Sequence, residues 1–454
     1  MADAPDFHIY QEIMLDYSRF NGKECQMYRY FNRPYPQRLS DLSGLLATCT
    51  LREHGDIKKY LQLQKELIDL CPEQITPTHK NIYNTMDWLN NSIDALNPEE
   101  ADVVICLMAY GEAYTKRLLE YAFCSFMSFE NLPCLAVEKK VTILVITDSK
   151  YHEVIGCADI TNKIRALGVH FDYAVMPDGI TEEKEPYWLL GAAASLGFQY
   201  AKKAGAAFHM SYPDIIYSNK YFSELLRLSK EHKAILVPGM RADETMIQTF
   251  LPNYVDSHGT ISVPCADLVA IHLNCLHKSA WGLLVNNRPR DWTFPNFHVI
   301  LWEGNDFLRI DSPHLDPVWL DNSIIQTIEP RYFMTIDSEM DLIVKGEDYY
   351  IPTETDSLYR AEISAPERDG LTDNYASIQD VAYTMWASIV RRDCFKFFVR
   401  GMKLPINREI RPAPENVMPN EAVKALRNFL INTILAADPL RGTVKRTHDN
   451  YIML

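Results

Sequence analysis

A chain of 454 residues is about three times the commonest domain size, and its 47% hydrophobic content, with 25 Tyr, 19 Phe and 7 Trp, excludes a disordered polymer and allows a large core. The formal charge of −15 excludes a nucleic-acid partner held through clustered phosphate contacts, although a phosphate-bearing small ligand needs only a local cationic site. Ten cysteines are scattered with no CxxC pair, which excludes zinc-ribbon and thioredoxin motifs; Cys106 in VVICLM reads as a reduced core thiol. The start, MADAPDFHIYQE, has no apolar signal core, and no run approaches the ~18–20 apolar residues of a membrane span. The expectation is a cytoplasmic protein without a transmembrane segment.

Residues 1–100 read as a helical region. Asp56 can cap a helix carrying Ile57, Tyr60, Leu61 and Leu67-Ile68, and Ile82, Met86, Leu89, Ile93 and Leu96 keep the same spacing in a second helix that Pro98 ends. Such helices suit a cap or an arm for homo-oligomer formation. From residue 101 strands alternate with helices. The strand-like runs are 103–110, 141–148, 169–176, 206–210 and 233–239, nearly continuous in apolar residues as strands covered on both faces should be. Between the third and fourth, Tyr187, Leu190, Ala194, Phe198 and Ala201 mark a helix that Gly205 can terminate, and Phe222, Leu225 and Leu226 mark another after the fourth. The fold class is α/β, a mostly parallel sheet flanked by helices.

Residues 250–365 are less regular, with a helix expected over 264–285 and a short strand over 297–302. The C-terminal region, 331–454, reads as mainly helical: 378–400, then a helix capped by Asn420 and stopped by Pro439, then a basic, loosely ordered tail from Arg441.

The fourth strand runs into Ser211-Tyr212-Pro213-Asp214. A lone carboxylate leaving a central strand before a strand–helix–strand unit is where an α/β sheet places ligand chemistry. No GxGxxG follows the first strand, no GxxxxGK[ST] occurs, and GxSxG is absent, which disfavours a nicotinamide enzyme, a P-loop NTPase and an α/β hydrolase.

The order of elements, the opening segment VVICLMAYGEAYTKRLLEYAFCSFMSFENLP and the ending SYPD together resemble nucleotide-sugar glycosyltransferases of the GT-A type over residues 101–330. The GEAY and ENLP segments are similar to bacterial glycosyltransferase-like proteins of unproven activity. The resemblance implies a GT-A-like domain with helical N- and C-terminal additions, and transfer of a sugar from a nucleoside-diphosphate sugar to a hydroxyl on a saccharide, lipid-linked or protein acceptor. It implies that Asp214 holds a divalent ion, Mn²⁺ or Mg²⁺, at the diphosphate. A carboxylate is missing at Tyr212, where an Asp-x-Asp motif has its first acid, so His298 is the expected second metal ligand, with His277 and His314 as alternatives. Tyr110, Gly111, Thr147, Asp148, Ser211 and Arg241 are the expected nucleotide-sugar contacts, and Glu244 the expected base for the acceptor hydroxyl. Trp281, Trp292, Trp302 and Trp319, with Asp306, Asp311 and Asp316, are the candidate acceptor platform. The alternative is a glycosyltransferase-like scaffold that has lost catalysis, to which the incomplete acidic motif points.

Overall fold

The computed structural model describes residues 55–70, 77–177, 180, 187–277, 280, 299–303, 307–312, 315–333, 340–344, 349–353, 357–366 and 401–407, then 409, 425, 428, 444–447 and 450–453. Its centre is a seven-stranded sheet in the spatial order β11-β6-β10-β4-β1-β2-β3. In chain order these strands are β1 (Val103–Met108), β2 (Val141–Asp148), β3 (His170–Met176), β4 (Ala207–Met210), β6 (Ala234–Val237), β10 (Asp316–Leu320) and β11 (Tyr349–Tyr350). β1 through β4 run parallel to one another, β10 is antiparallel to both β4 and β6, and β11 is parallel to β6. Burial of every residue of β1, β2, β4 and β6 explains their nearly continuous apolar sequences, because helices cover both faces.

The helices follow from the same logic. Asp56 does cap α1 (Ile57–Leu70), its carboxylate accepting from Lys59 N at 2.9 Å. In α2 (Pro77–Ala95) Met86, Leu89 and Ile93 are buried, and the helix packs on α8 (Tyr187–Ala204). The expected apolar face of α8 is wider than a single stripe: residues 191–201 are buried all round, between α2 on one side and β1 and β4 on the other. Gly205 ends α8 at φ +68°, the left-handed conformation a helix C-terminus asks of glycine. Gly191 lets α8 approach the chain at 332–333. A Cβ there would overlap Phe333 O and sit 2.6 Å from Tyr332 Oη. Gly191→Ala is therefore expected to cost about 2–3 kcal/mol, measurable by urea unfolding; a loss within ~0.5 kcal/mol would show that this contact gives way easily.

A second sheet of three strands, β5 (Ile215–Tyr217), β12 (Arg360–Ser364) and β7 (Arg241–Asp243), forms at the C-terminal ends of β4 and β6, with β12 between its partners. Its register sets Glu362 opposite both Ile215 and Arg241. A third sheet pairs β8 (Val299–Glu303) with β9 (Phe307–Asp311) and β9 with β13 (Met402–Pro405).

Several expectations need correction. The helix expected over 264–285 ends at Asn274, because the backbone of the next three residues is taken by β7: Cys275 O accepts from Asp243 N at 2.6 Å and His277 N donates to Arg241 O at 2.9 Å. The irregular segment 250–365 supplies β10, a central strand, and the strands β11 and β12 beyond residue 330 belong to the first two sheets. The expected boundary at 330 therefore does not separate them. The basic tail forms a hairpin, β14 (Val444–Thr447) with β15 (Asn450–Met453). The expected helix over 378–400 lies outside the described residues. So does the helix after Asn420, apart from positions 425 and 428, which are helical.

Candidate active site

The strand order reverses between β1 and β4: the chain builds β2 and β3 to one side of β1 and then returns to lay β4 on the other. Ligands of open α/β sheets sit beyond the carboxyl ends of the strands at such a reversal. The segments leaving β1 and β4 here are Ala109–Arg117 and Ser211–Asp214. The antiparallel strand β10 brings its first residue, Asp316, to the same edge, opposite Val237 at the end of β6.

Asp214 stands just before β5, its carbonyl accepting from Ile363 N at 2.6 Å. Its side chain is only 5% exposed. Desolvation, reinforced by the charge of Glu362, pushes its pKa up to about 7, against the pull of Arg241 and Arg117. Each arginine is held by another carboxylate. Arg241 Nε donates to Glu362 Oε1 at 2.7 Å across the β7–β12 register. Arg117, the last residue of α3 (Gly111–Arg117), makes a two-point contact with Glu244, Nε to Oε1 at 3.2 Å and Nη2 to Oε2 at 2.6 Å. Tyr121 Oη donates to Glu244 Oε1 at 3.2 Å and accepts from Gln248 Nε2 at 2.6 Å.

Burial raises the pKa of Glu244, but the Arg117 hydrogen bond and charge outweigh it and hold the group below the ordinary range. A base for work near neutral pH is best tuned near it. Asp214 is tuned towards that value and Glu244 away from it.

The other expected contacts divide by burial. Tyr110 precedes α3 in extended conformation, its ring 5.0 Å from that of Tyr114. Gly111, at φ +64°, faces open space: a Cβ there would meet nothing within 4 Å. Its N–H donates to Asp148 Oδ2 at 2.7 Å, and Asp148 Oδ1 accepts from Tyr151 N at 3.1 Å. Asp148 thus caps the helix α6 (Ser149–Cys157) and pins the turn after β1 to it. Thr147 and Ser211 are fully buried; Ser211 Oγ lies 2.6 Å from Tyr217 Oη, inside the fold.

His298, His314, Trp281, Trp292 and Asp306 lie outside the described residues. His277 is buried with Nε2 3.0 Å from Ala365 O. Trp302 lies on β8, and Trp319 is buried on β10. Asp311 is buried against Arg309 at 2.8 Å. Asp316 accepts from Tyr212 Oη at 3.1 Å and pairs with the buried guanidinium of Arg360.

Arg117, Glu362, Asp316's partner Arg360 and Tyr121 escaped the sequence reading as members of this cluster. One signal was available: Tyr114, Arg117 and Tyr121 recur at helical spacing straight after the first strand.

Among the described residues no group of three His, Cys, Asp or Glu side chains is arranged to hold a metal ion. Beside Asp214 stand one further carboxylate and two guanidiniums, which have no lone pair to give a cation. The described residues do not make up a divalent-metal site on their own.

No protein-family model matches the sequence, and no curated protein matches it. Among solved structures, the crystal structure of Staphylococcus aureus TarS residues 1–349 in complex with UDP-GlcNAc is similar at 10% identity, covering 74% of this chain and 73% of that one, with a TM-score of 0.30. The same fragment in complex with UDP gives 9% identity, 76% and 75% coverage, and 0.29. A longer TarS structure gives 10% identity over 76% of this chain and 46% of that one, with 0.26. Likeness at this level carries no argument about site or activity. No helix among the described residues is long and apolar enough to cross a membrane.

Proposed function

We propose that the chain is a glycosyltransferase of GT-A-like architecture that moves a sugar from a nucleoside-diphosphate sugar to a hydroxyl acceptor. The observation that carries this reading is the strand reversal between β1 and β4. It brings together an aromatic residue and an open glycine (Tyr110, Gly111) after β1, and a buried carboxylate after β4 (Asp214) that feels two arginines, Arg117 from the β1 side and Arg241 from β7. The first pair suits a flat base and the close approach of backbone to a nucleotide. The second brings two guanidiniums beside a leaving group that gains negative charge as the bond to the sugar breaks, where cations stabilise that charge. β10, antiparallel beside β4, makes the expected mostly parallel sheet a mixed one.

Asp148 joins the two loops nearest the base, so its proposed part is to shape that end of the site. A divalent ion on Asp214, completed by His298, belongs to the same proposal.

Calorimetry of the full chain with uridine, guanosine and thymidine diphosphates and their sugars, with and without Mn²⁺, tests the reading. At least one nucleotide is expected to bind below ~1 mM, a weak-binding limit of about −4 kcal/mol. Nucleoside diphosphate should then be released when an acceptor extract is added. Absence of any nucleotide binding at millimolar concentration would sink it. Binding without turnover would favour the scaffold reading, which the locking of Glu244 by Arg117 supports.

A further inference from the structure

We propose that Arg117 and Arg241 form a two-pronged clamp for a diphosphate, each kept in place before binding by a carboxylate, Glu244 and Glu362, that occupies the position the phosphate oxygens will take. The proposal rests on the nucleotide-sugar reading above and names the groups that would hold the charged part of that ligand.

Three features lead to it. The two arginines come from distant parts of the chain, one from the helix after β1 and one from β7, and both act electrostatically on Asp214 at the strand reversal. A guanidinium meets a carboxylate and a phosphate through the same planar edge of N–H donors, so Glu244 and Glu362 hold the forks in a geometry that a phosphate can inherit. Both ion pairs are partly open, with side-chain exposures of 13% and 20% for Arg117 and Glu244, and 32% and 20% for Arg241 and Glu362. A ligand can therefore reach them without unfolding the site.

The local charge sharpens the argument. Asp214, Glu244 and Glu362 set three carboxylates against two guanidiniums, so with Asp214 ionised the cluster before binding carries one net negative charge and does not attract an anion strongly. A diphosphate that takes over the arginines must displace carboxylates, and the displaced acids then lie beside it. Glu362, the second largest influence on Asp214 after desolvation, is the acid whose loss should help an anion most. An ion pair that serves only the fold has the opposite signature: breaking it would loosen β7 and β12 and weaken any ligand held there.

The test is calorimetric titration of the full chain with inorganic pyrophosphate and, separately, with uridine diphosphate, in chelator and then in Mn²⁺. The proteins are the parent and the variants Arg117→Gln, Arg241→Gln and Glu362→Gln, with thermal unfolding as the fold control. Each arginine variant is expected to weaken pyrophosphate binding about tenfold or more, as loss of a charge-assisted contact does, and Glu362→Gln to tighten it about threefold to tenfold. Glu362→Gln carries the test even if Arg117→Gln fails to fold. Unchanged pyrophosphate affinity in folded arginine variants would overturn the clamp, as would weaker binding in Glu362→Gln or binding that needs Mn²⁺ and ignores the arginines. If pyrophosphate binds through the arginines but no nucleotide does, the clamp stands and the nucleotide-sugar reading fails. If uridine diphosphate binds equally to all four proteins, the reading stands and the clamp fails.

Discussion

Arg360→Met is expected to destabilise the protein by about 3–5 kcal/mol, the usual cost of removing one partner from a buried ion pair. Arg360 is 3% exposed, pairs with Asp316 and lies with its guanidinium carbon 5.5 Å from the centre of the Tyr212 ring. Methionine would fill much of the volume but take away the guanidinium that neutralises Asp316. The change would act on both main sheets at once, since Asp316 begins β10 and Arg360 begins β12. Urea unfolding at neutral pH measures it, and the double variant Arg360→Met/Asp316→Leu should recover a large part of the loss. A loss below ~1 kcal/mol in the single variant would mean that the pair contributes little beyond packing.

Asp214→Asn is expected to change how stability depends on pH. Burial and Glu362 raise the folded pKa of Asp214 to about 7, while the unfolded chain releases the same proton near ~3.9. Between these values the folded state holds more protons than the unfolded state. The stability that the protonated group contributes is therefore fully present below about pH 4 and is lost as pH rises towards 7. Removing the titration should leave Asp214→Asn more stable, relative to the parent, at pH 8 than at pH 4, by on the order of 2–4 kcal/mol. Unfolding curves of both proteins at the two pH values decide it. Parallel pH dependences would show that Asp214 ionises freely in the folded chain, and would remove the case for it as a neutral-pH proton acceptor.

The sheet was readable where its physics is local. Runs such as VVICLM and VTILVITD announce strands covered on both faces, and the spacing in α8 and in α9 (Tyr221–Ser229) announces helices, because each pattern lies within one element. β10 was not readable. Its five residues begin with Asp-Pro and lie in an irregular stretch, and the register with β6 shifts between Pro317 and Trp319. Only the strands on either side, far back in the chain, make that segment central. The site divides in the same way. Asp214 stood out as a carboxylate after an apolar strand, but its neighbours did not, since Arg117 and Glu244 are 127 residues apart and Arg241 and Glu362 are 121 apart. Charges that meet only after the sheets form leave no spacing to read. Asp148 shows the reverse case: an acid at a strand end looked like a ligand contact, and its two oxygens are used by backbone N–H groups of the fold itself.

The placement of β10 also sets an order of events for the growing polypeptide. β4 and β6 are made more than seventy residues before the strand that joins them, so a nascent chain that has reached residue 300 exposes two strand edges facing a gap. Unpaired edges of apolar strands invite pairing with other chains. The half built from β1, β2, β3 and β4 needs no such wait, because its partners follow one another in synthesis with no other strand among the described residues between them. Assembly of the protein is thus divided at the strand reversal, and the cluster around Asp214 comes together only when the late strands, β10 and then β12, have arrived.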